Sequence, residues 1–288
     1  MFVVMGATGH IGSEFAKNLL RSGRDVTVVT RSKKRAENLV KLGARLAEID
    51  ISDYDLFHEI LKEASGVYIL NPPANPVHDV DLEERKTIAA ITRALENTNL
   101  EKVVVQSTYS AQEGDHIGDL ESLYLLEEKV KEIYPEAMIV RAAFYMSNWD
   151  LALNEIVEKG CLTTIYPSHS IIPMVAPRDI ADYLTGLVES GKAGIHYIEG
   201  PQRYTVQDVA TAFQTALGKP VKLVEVKRED IENYYLSLSF SKSSAMSFAA
   251  MALKTISGDW PPLNKIERGK ITLQQYIKKL CLKAVPVK

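Results

Sequence analysis

Three glycines spaced three apart, in Gly6-Ala-Thr-Gly9-His-Ile-Gly12, stand directly after the apolar run Met1-Phe-Val-Val-Met5. Glycines in such a turn let the backbone approach a ligand closely. A helix that starts there offers unpaired N–H groups and a partial positive charge. Ile11, Phe15 and Leu19 recur at i, i+4 and i+8, so an amphipathic helix follows the turn. Strand, glycine turn and helix start together predict a site for a dinucleotide pyrophosphate, made by Gly6, Ala7, Thr8, Gly9, His10, Ile11 and Gly12. At His10 the backbone N–H is expected to matter more than the imidazole.

The end of the second predicted strand, Val26–Thr30, carries the next chemistry. A carboxylate there usually holds the ribose 2′-hydroxyl in an NAD-preferring site. Here the run is Thr30-Arg31-Ser32-Lys33-Lys34-Arg35. Arg31 can stack on adenine and, with Lys34 or Arg35, take a 2′-phosphate through charge-assisted hydrogen bonds. NADP(H) is therefore expected over NAD(H), while Lys33 reads as part of a solvated helix start.

Alternating strands and helices must hold these groups. Further strands are predicted at Arg45–Asp50, Gly66–Leu70, Lys102–Ser107 and Met138–Arg141. Helices are predicted at Tyr54–Ala64, with Leu56, Ile60 and Ala64 inward, from about Val80 to Glu96, with Ile88, Ile91 and Leu95 inward, and around Leu120–Ile133. Strands separated by helices of this length imply an α/β fold with a doubly wound parallel sheet. Ligands of such sheets lie at the carboxyl ends of the strands. That rule gathers Gly6–Gly12, Arg31, Asp50, Asn71–Pro76 and Ser107–Tyr109 on one rim.

Beyond Arg141 the pattern loosens: a short helix after Phe144–Trp149, then a small strand at Cys161–Tyr166. Pro177 suits a helix start, with Ile180, Leu184, Leu187 and Val188 as its apolar face. Thr205-Val-Gln-Asp208 has the form of a capping box, Gly218 is a helix stop, and Leu273–Leu282 is amphipathic. The Ser-, Met- and aromatic-rich stretch 229–260 yields no element. Residues 1–148 are read as a dinucleotide-binding domain to which 175–190 returns, and 149–288 as a smaller α/β lobe on the substrate side.

Gly6–Gly12, Val-Thr-Arg31, Ile49-Asp50, Val140-Arg-Ala-Ala-Phe-Tyr-Met-Ser-Asn148 and Arg178-Asp-Ile-Ala181 together resemble the NmrA-like group of atypical short-chain dehydrogenases/reductases. The resemblance covers nearly the whole chain and is strongest over residues 1–185. It implies a Rossmann sheet and one of two activities: NADP-dependent reduction of quinones and dyes, or nicotinamide-dependent redox sensing in transcriptional regulation without known catalysis. Asp50-Ile51 resembles the pair beside the adenine ring, although an Asp capping the helix after Ser52 is an equal reading. Asn71-Pro72-Pro73 falls where the family chain passes the pyrophosphate and nicotinamide ribose; a rigid turn is the alternative.

Catalytic groups are harder to place. Typical short-chain dehydrogenases use Tyr-x-x-x-Lys, the Lys lowering the Tyr pKa for proton donation. None of the thirteen tyrosines has Lys four residues on. Tyr124 has Glu128 there and Lys129 one further, which points elsewhere on a helix. Ser107, Tyr109 and Tyr124 are the remaining catalytic candidates. Hydride transfer to a stacked, electron-poor acceptor survives this absence, because water can supply the proton. Phe144, Tyr145, Met146 and Trp149, with Tyr166 and Met174, are candidates to line the acceptor pocket, or equally to form the core between lobes. His116, in Gly114-Asp-His-Ile-Gly118, reads as a surface residue of a loop near the site. Glu121, Glu127, Glu128, Lys129 and Lys131 read as a solvated helix face.

Composition narrows the function classes. In 288 residues, 46% are hydrophobic, enough for a large core, and the net charge of −3 gives no reason to expect nucleic acid or an anionic membrane as partner. No stretch is long and apolar enough for a membrane span, and residues 2–5 read as core strand and not as a signal peptide. Two distant cysteines, Cys161 and Cys281, fit a reduced cytoplasmic setting. The six histidines show no metal-ligand spacing, and neither a Gly-x-Ser-x-Gly elbow nor a Walker lysine occurs. Two expectations result: an NADPH-dependent reductase of quinones or similar conjugated acceptors, or an NADP(H)-binding redox sensor acting through a protein partner. A homodimer is compatible with either.

Overall fold

A computed structural model describes residues 1–258, 260–261 and 265–284. Asp259, within the unassigned stretch 229–260, and residues 262–264 and 285–288 of the smaller lobe lie outside the described residues. Six strands and five helices alternate through the first half: β1 (Phe2–Val4), α1 (His10–Arg21), β2 (Val26–Thr30), α2 (Lys33–Lys41), β3 (Arg45–Glu48), α3 (Tyr54–Lys62), β4 (Gly66–Ile69), α4 (Val80–Leu95), β5 (Lys102–Thr108), α5 (Asp119–Ile133) and β6 (Met138–Ala142). They build an eight-stranded sheet, all parallel. Its order is Ile266–Arg268, Gly194–Glu199, β6, β5, β4, β1, β2, β3. The sheet thus takes its last two strands on one side, the outermost being Ile266–Arg268, from the part of the chain that the sequence assigns to the smaller lobe.

Both faces of this sheet are covered, which explains why the central strands β1, β2 and β4 are buried on both sides and do not alternate apolar with polar. Phe2, Val4, Val26, Val28 and Val104 pack under α1 and α2 on one face; Val3, Met5, Val67, Val103 and Val105 pack under α3, α4 and α5 on the other. Between β6 and the strand Gly194–Glu199 the chain makes a 3-10 turn (Met146–Ala152) and two helices, α6 (Leu153–Lys159) and α7 (Pro177–Ser190). α7 returns to α1: Ile180, Leu184, Leu187 and Val188 join Phe15 and Leu19 in one cluster. Asn18 Nδ2 donates to Asp182 Oδ1 at 2.9 Å and Thr185 Oγ1 at 3.3 Å.

The smaller lobe packs α6, α8 (Val206–Leu217) and α11 (Leu273–Ala284) around Met146, Trp149, Met174 and Phe213. α8 begins with the anticipated box: Asp208 N donates to Thr205 Oγ1 at 3.1 Å, and Thr205 N to Asp208 Oδ2 at 2.7 Å. Gly218 ends it in the left-handed conformation, φ 64°. The stretch that gave no element forms α9 (Ile231–Ser237) and α10 (Lys242–Ser257), the latter capped by Ser241. Interlocked rings hold this pair, with Tyr235–Phe240 centroids 5.1 Å apart and Phe240–Phe248 5.2 Å. No helix among the described residues is long and apolar enough to cross a membrane.

Two expectations about helix faces are overturned in part; Ala64 is buried after α3 as expected. On α3 the inward residues are Phe57 and Leu61, with Ile60 beside them, and Leu56 is 53% exposed. The stripe 57, 60, 61, 64 buries the phenyl ring, and a rotation of one residue would place it in water. The charged run on α5 is solvated only in part: Glu128, Lys129 and Lys131 reach solvent, but Glu127 is completely buried and Glu121 nearly so. Arg141 on β6 binds Glu127 bidentately, Nε to Oε1 at 2.8 Å and Nη2 to Oε2 at 2.6 Å. A charge on the inward stripe of α5 therefore finds its partner across the sheet.

Candidate functional site

The glycine turn joins β1 to α1 at the carboxyl edge of the sheet, and each glycine there answers a different constraint. Gly6 has φ +58°, and a Cβ would strike the Leu70 side chain. Gly12 packs so tightly that a Cβ would lie 2.8 Å from the Gly6 carbonyl carbon. Gly9 donates its N–H to Gly6 O at 2.9 Å and serves as the extended N-cap of α1. No side chain caps that helix start and no acid lies in its first turn. Gly9 and His10 are exposed, so the positive end of a twelve-residue helix faces outward. Ala7 and Ile11 face the core, and Thr8 is half-buried. The His10 imidazole lies 3.9 Å from Asp150 of the smaller lobe.

Arg31, Lys33, Lys34 and Arg35 are all exposed beside this turn. Arg35 Nη2 reaches Thr8 O at 3.5 Å, which ties the basic run to the glycine turn. The nearest acid is Glu48 at the end of β3, and it accepts the Lys33 N–H at 2.9 Å. Asp50 is not the cap of α3. It turns back to accept Ser52 N–H at 3.0 Å and Ser52 Oγ–H at 2.8 Å. The cap of α3 is instead Asp53, accepting Leu56 N–H at 3.2 Å. The Ser52 N–H, then its hydroxyl, hold the Asp50 carboxyl below its ordinary range, with Arg31 adding to the effect. Ile51 is half-buried against the core of that face.

The Asn71-Pro72-Pro73 turn leaves β4 next to Gly6, because β4 pairs with β1 in register Val4 to Tyr68. Asn71 and Pro72 are half-buried and Pro73 is exposed. Asn71 Oδ1 is a buried oxygen without a hydrogen-bond partner among the described residues. Such an acceptor costs free energy until a donor arrives. Its amide nitrogen donates to Glu84 Oε2 at 3.4 Å.

Farther along the same carboxyl edge of the sheet, aromatic side chains follow β6. Phe144 and Tyr145 follow β6 and are half-buried; the Phe144 ring is tilted against Trp149 at 5.6 Å and meets Tyr166 edge-to-face at 5.8 Å. Met146, Trp149 and Met174 are buried in the lobe core. Half-buried Phe144, Tyr145 and Tyr166 are thus the pocket candidates left at the rim. Burial, with Asp119 nearby, pushes the Tyr166 hydroxyl up to about 12 and Tyr145 higher. Ser107 is fully buried and gives its hydroxyl to Glu127, within the ion pair with Arg141. Tyr109 is buried against the α1 face and its hydroxyl reaches Glu199 at 3.4 Å. Tyr124 is half-buried on α5.

Sequence reasoning passed over a polar network beside this rim. His116 Nδ1 lies 2.7 Å from Asp81 Oδ2; Asp81 Oδ1 accepts from Ser247 Oγ at 2.8 Å, and Ser247 Oγ accepts Gly118 N–H at 2.8 Å. Loop 114–118 is thereby pinned to α4 and α10. The hydrogen bond to Asp81 raises the His116 pKa. Glu84 is also in this region, only 4% exposed. Its signal was available: Glu84, Ile88, Ile91 and Leu95 fall at i, i+4, i+7 and i+11, one stripe of α4.

Known proteins share this fold. The NAD(P)H azoreductase of Xenophilus azovorans is 23% identical over 247 residues, 85% of this chain and 84% of that protein. Among solved structures, the triphenylmethane reductase of Citrobacter sp. complexed with NADP(H) superposes with TM-score 0.79 at 18% identity, over 97% of this chain and 99% of that one. An NADPH-dependent quinone oxidoreductase from Escherichia coli, complexed with NADPH, gives TM-score 0.77 at 16% identity over the same shares. The NmrA-like family model matches residues 1–260, and the chain belongs to that family.

Proposed function

We propose that this protein is an NADPH-dependent reductase of quinones or similar conjugated acceptors. The observation that carries this reading is the cofactor cradle: an uncapped α1 start on a tightly packed glycine turn, beside a basic run with no carboxylate at the end of β2. The backbone N–H groups of His10, Ile11 and Gly12 would hold the pyrophosphate, and Arg31 with Lys34 or Arg35 the 2′-phosphate. When bound, NADPH would supply a hydride from its nicotinamide to the acceptor. Asn71 Oδ1, buried and unpartnered, is placed to accept a hydrogen bond from the same ligand. Phe144, Tyr145 and Tyr166 would stack on a flat acceptor, exclude water and align it, so that proximity supplies most of the rate. No tyrosine here has the lysine partner of the ordinary proton relay, which suits an acceptor that takes its proton from water. The reductase activities of the azoreductase, triphenylmethane reductase and quinone oxidoreductase support the same reading.

One observation favours a second reading, a redox sensor that reports NADP(H) through a protein partner. Tyr166 packs against Ile231 and Ala249 of α9 and α10 as well as the lobe core, so side chains already occupy part of the acceptor end. Oxidation of NADPH against a panel of quinones, azo dyes and triphenylmethane dyes, with NADPH binding measured on the same sample, separates the two. Turnover that disappears in Gly9→Val is the result expected of a reductase. Tight binding without reduction of any acceptor would reject catalysis in favour of sensing.

A further inference from the structure

The carboxylate of Glu84, buried on the inward stripe of α4, has three donors within reach. Ser122 Oγ of α5 donates at 2.6 Å, Asn71 Nδ2 at 3.4 Å and Ala74 N at 3.4 Å. Two of the three belong to the turn that leaves β4 beside Gly6. Between them lie Pro72 and Pro73, which have no N–H and a fixed φ. The turn is therefore a stiff plate hinged on Asn71 and Ala74, and Glu84 grips both ends. With its NH2 drawn to Glu84, the Asn71 carboxamide has its carbonyl oxygen left over, and that oxygen is buried without a partner.

We propose that Glu84 is a positioning residue for the cofactor: in its ionised form it fixes Asn71 so that Oδ1 accepts a hydrogen bond from bound NADPH. The inference rests on the NADPH reading above. The donor would be a ribose hydroxyl or the nicotinamide carboxamide, the groups of such a ligand that carry hydrogens. A carboxylate accepts only, so it selects the NH2 side of Asn71. Once protonated, Glu84 becomes a donor that suits Asn71 Oδ1 instead. The carboxamide then turns over and presents NH2 where the cofactor needs an acceptor.

The surroundings place this switch near neutrality. Burial, and then Asp119 on α5, push Glu84 up to about 7, while Ser122 and Ala74 act against them and Asp81 on α4 adds to the rise. Asp81 is itself bound by His116 of loop 114–118 and by Ser247 of α10. The neighbouring cation on α4, Arg85, is engaged by Glu121 and Asp115.

NADPH dissociation constants for the parent, Glu84→Gln and Asn71→Ala between about pH 6 and pH 8 test the proposal. The parent is expected to bind about three- to tenfold more weakly at the acid end, beyond the change seen in Glu84→Gln. The cofactor's own 2′-phosphate titrates alike with every protein and cancels in that difference. Asn71→Ala should lose the same pH-dependent component and bind more weakly at pH 8. Parallel profiles for parent and Glu84→Gln, with tight NADPH binding in both, would overturn the role of Glu84 alone. No NADPH binding at any pH would remove the cofactor reading and this inference with it.

Discussion

The basic, glycine-lined end of the rim comes from one stretch of chain, Gly6 to Arg35, and presents mostly backbone and exposed cations. The aromatic end draws on α4, α5, β6 and α10, with hydrogen bonds such as Ser247 to Asp81 spanning 166 positions. The first end needs only β1, α1 and β2 in place. The second exists only when the whole chain has folded, so its polar groups are bound up with stability. Binding and stability should therefore separate between the two ends under mutation.

The largest effect is expected at the aromatic end. Glu127→Ala leaves the Arg141 guanidinium unpaired beneath α5 and should cost about 3–5 kcal/mol in denaturant unfolding. A loss below about 1 kcal/mol would mean that water enters and the comparison fails. At the basic end, Arg31→Ala should weaken NADPH binding by about 1.5–3 kcal/mol, roughly 10–150-fold, with little change in unfolding. Equal NADPH affinity in variant and parent would deny Arg31 that part.

A pH series sharpens the contrast further. The folded-state pKa of Glu84 is raised, so its contribution to stability is full below about pH 4.5 and is lost as pH rises towards about 7. Between about pH 5 and pH 7.5 the parent should lose about 2 kcal/mol relative to Glu84→Gln. A smaller effect is expected far from the rim. Thr205→Ala removes the cap of α8 and should cost about 1 kcal/mol, seen as a lower Tm, without altering NADPH binding. Smallest of all, Leu56→Ala should change stability by less than about 0.5 kcal/mol, because that side chain is in water.

The same division governs what could be read from the sequence. Gly6–Gly12, the inward faces of α1 and α7, the box at Thr205 and the stop at Gly218 depend on neighbours within about one helical turn or one strand. Their chemistry is visible in local spacing. The α3 face was misread because Leu56 and Phe57 are both apolar, and only the sheet beneath decides which is buried. Glu127 looked like surface charge because its partner, Arg141, lies on a different strand. Glu84 lay on a visible apolar stripe, yet Asn71 and Ser122, the donors that make a buried carboxylate tolerable, are not sequence neighbours. Segment 229–260 gave no periodic signal because its rings interlock with each other and its small residues pack on α4, so neither helix shows a simple amphipathic stripe.

The return of α7 to α1 has a consequence for synthesis. As the chain leaves the ribosome, Ile11, Phe15 and Leu19 emerge well before the helix that covers them, Pro177–Ser190, which follows about 160 residues later. β6 likewise waits for the strand Gly194–Glu199 before its open edge is paired. The dinucleotide-binding half is thus first in order of translation and among the last to be closed. Its nascent form exposes an apolar helix face and an unpaired strand edge, the surfaces that holding chaperones recognise.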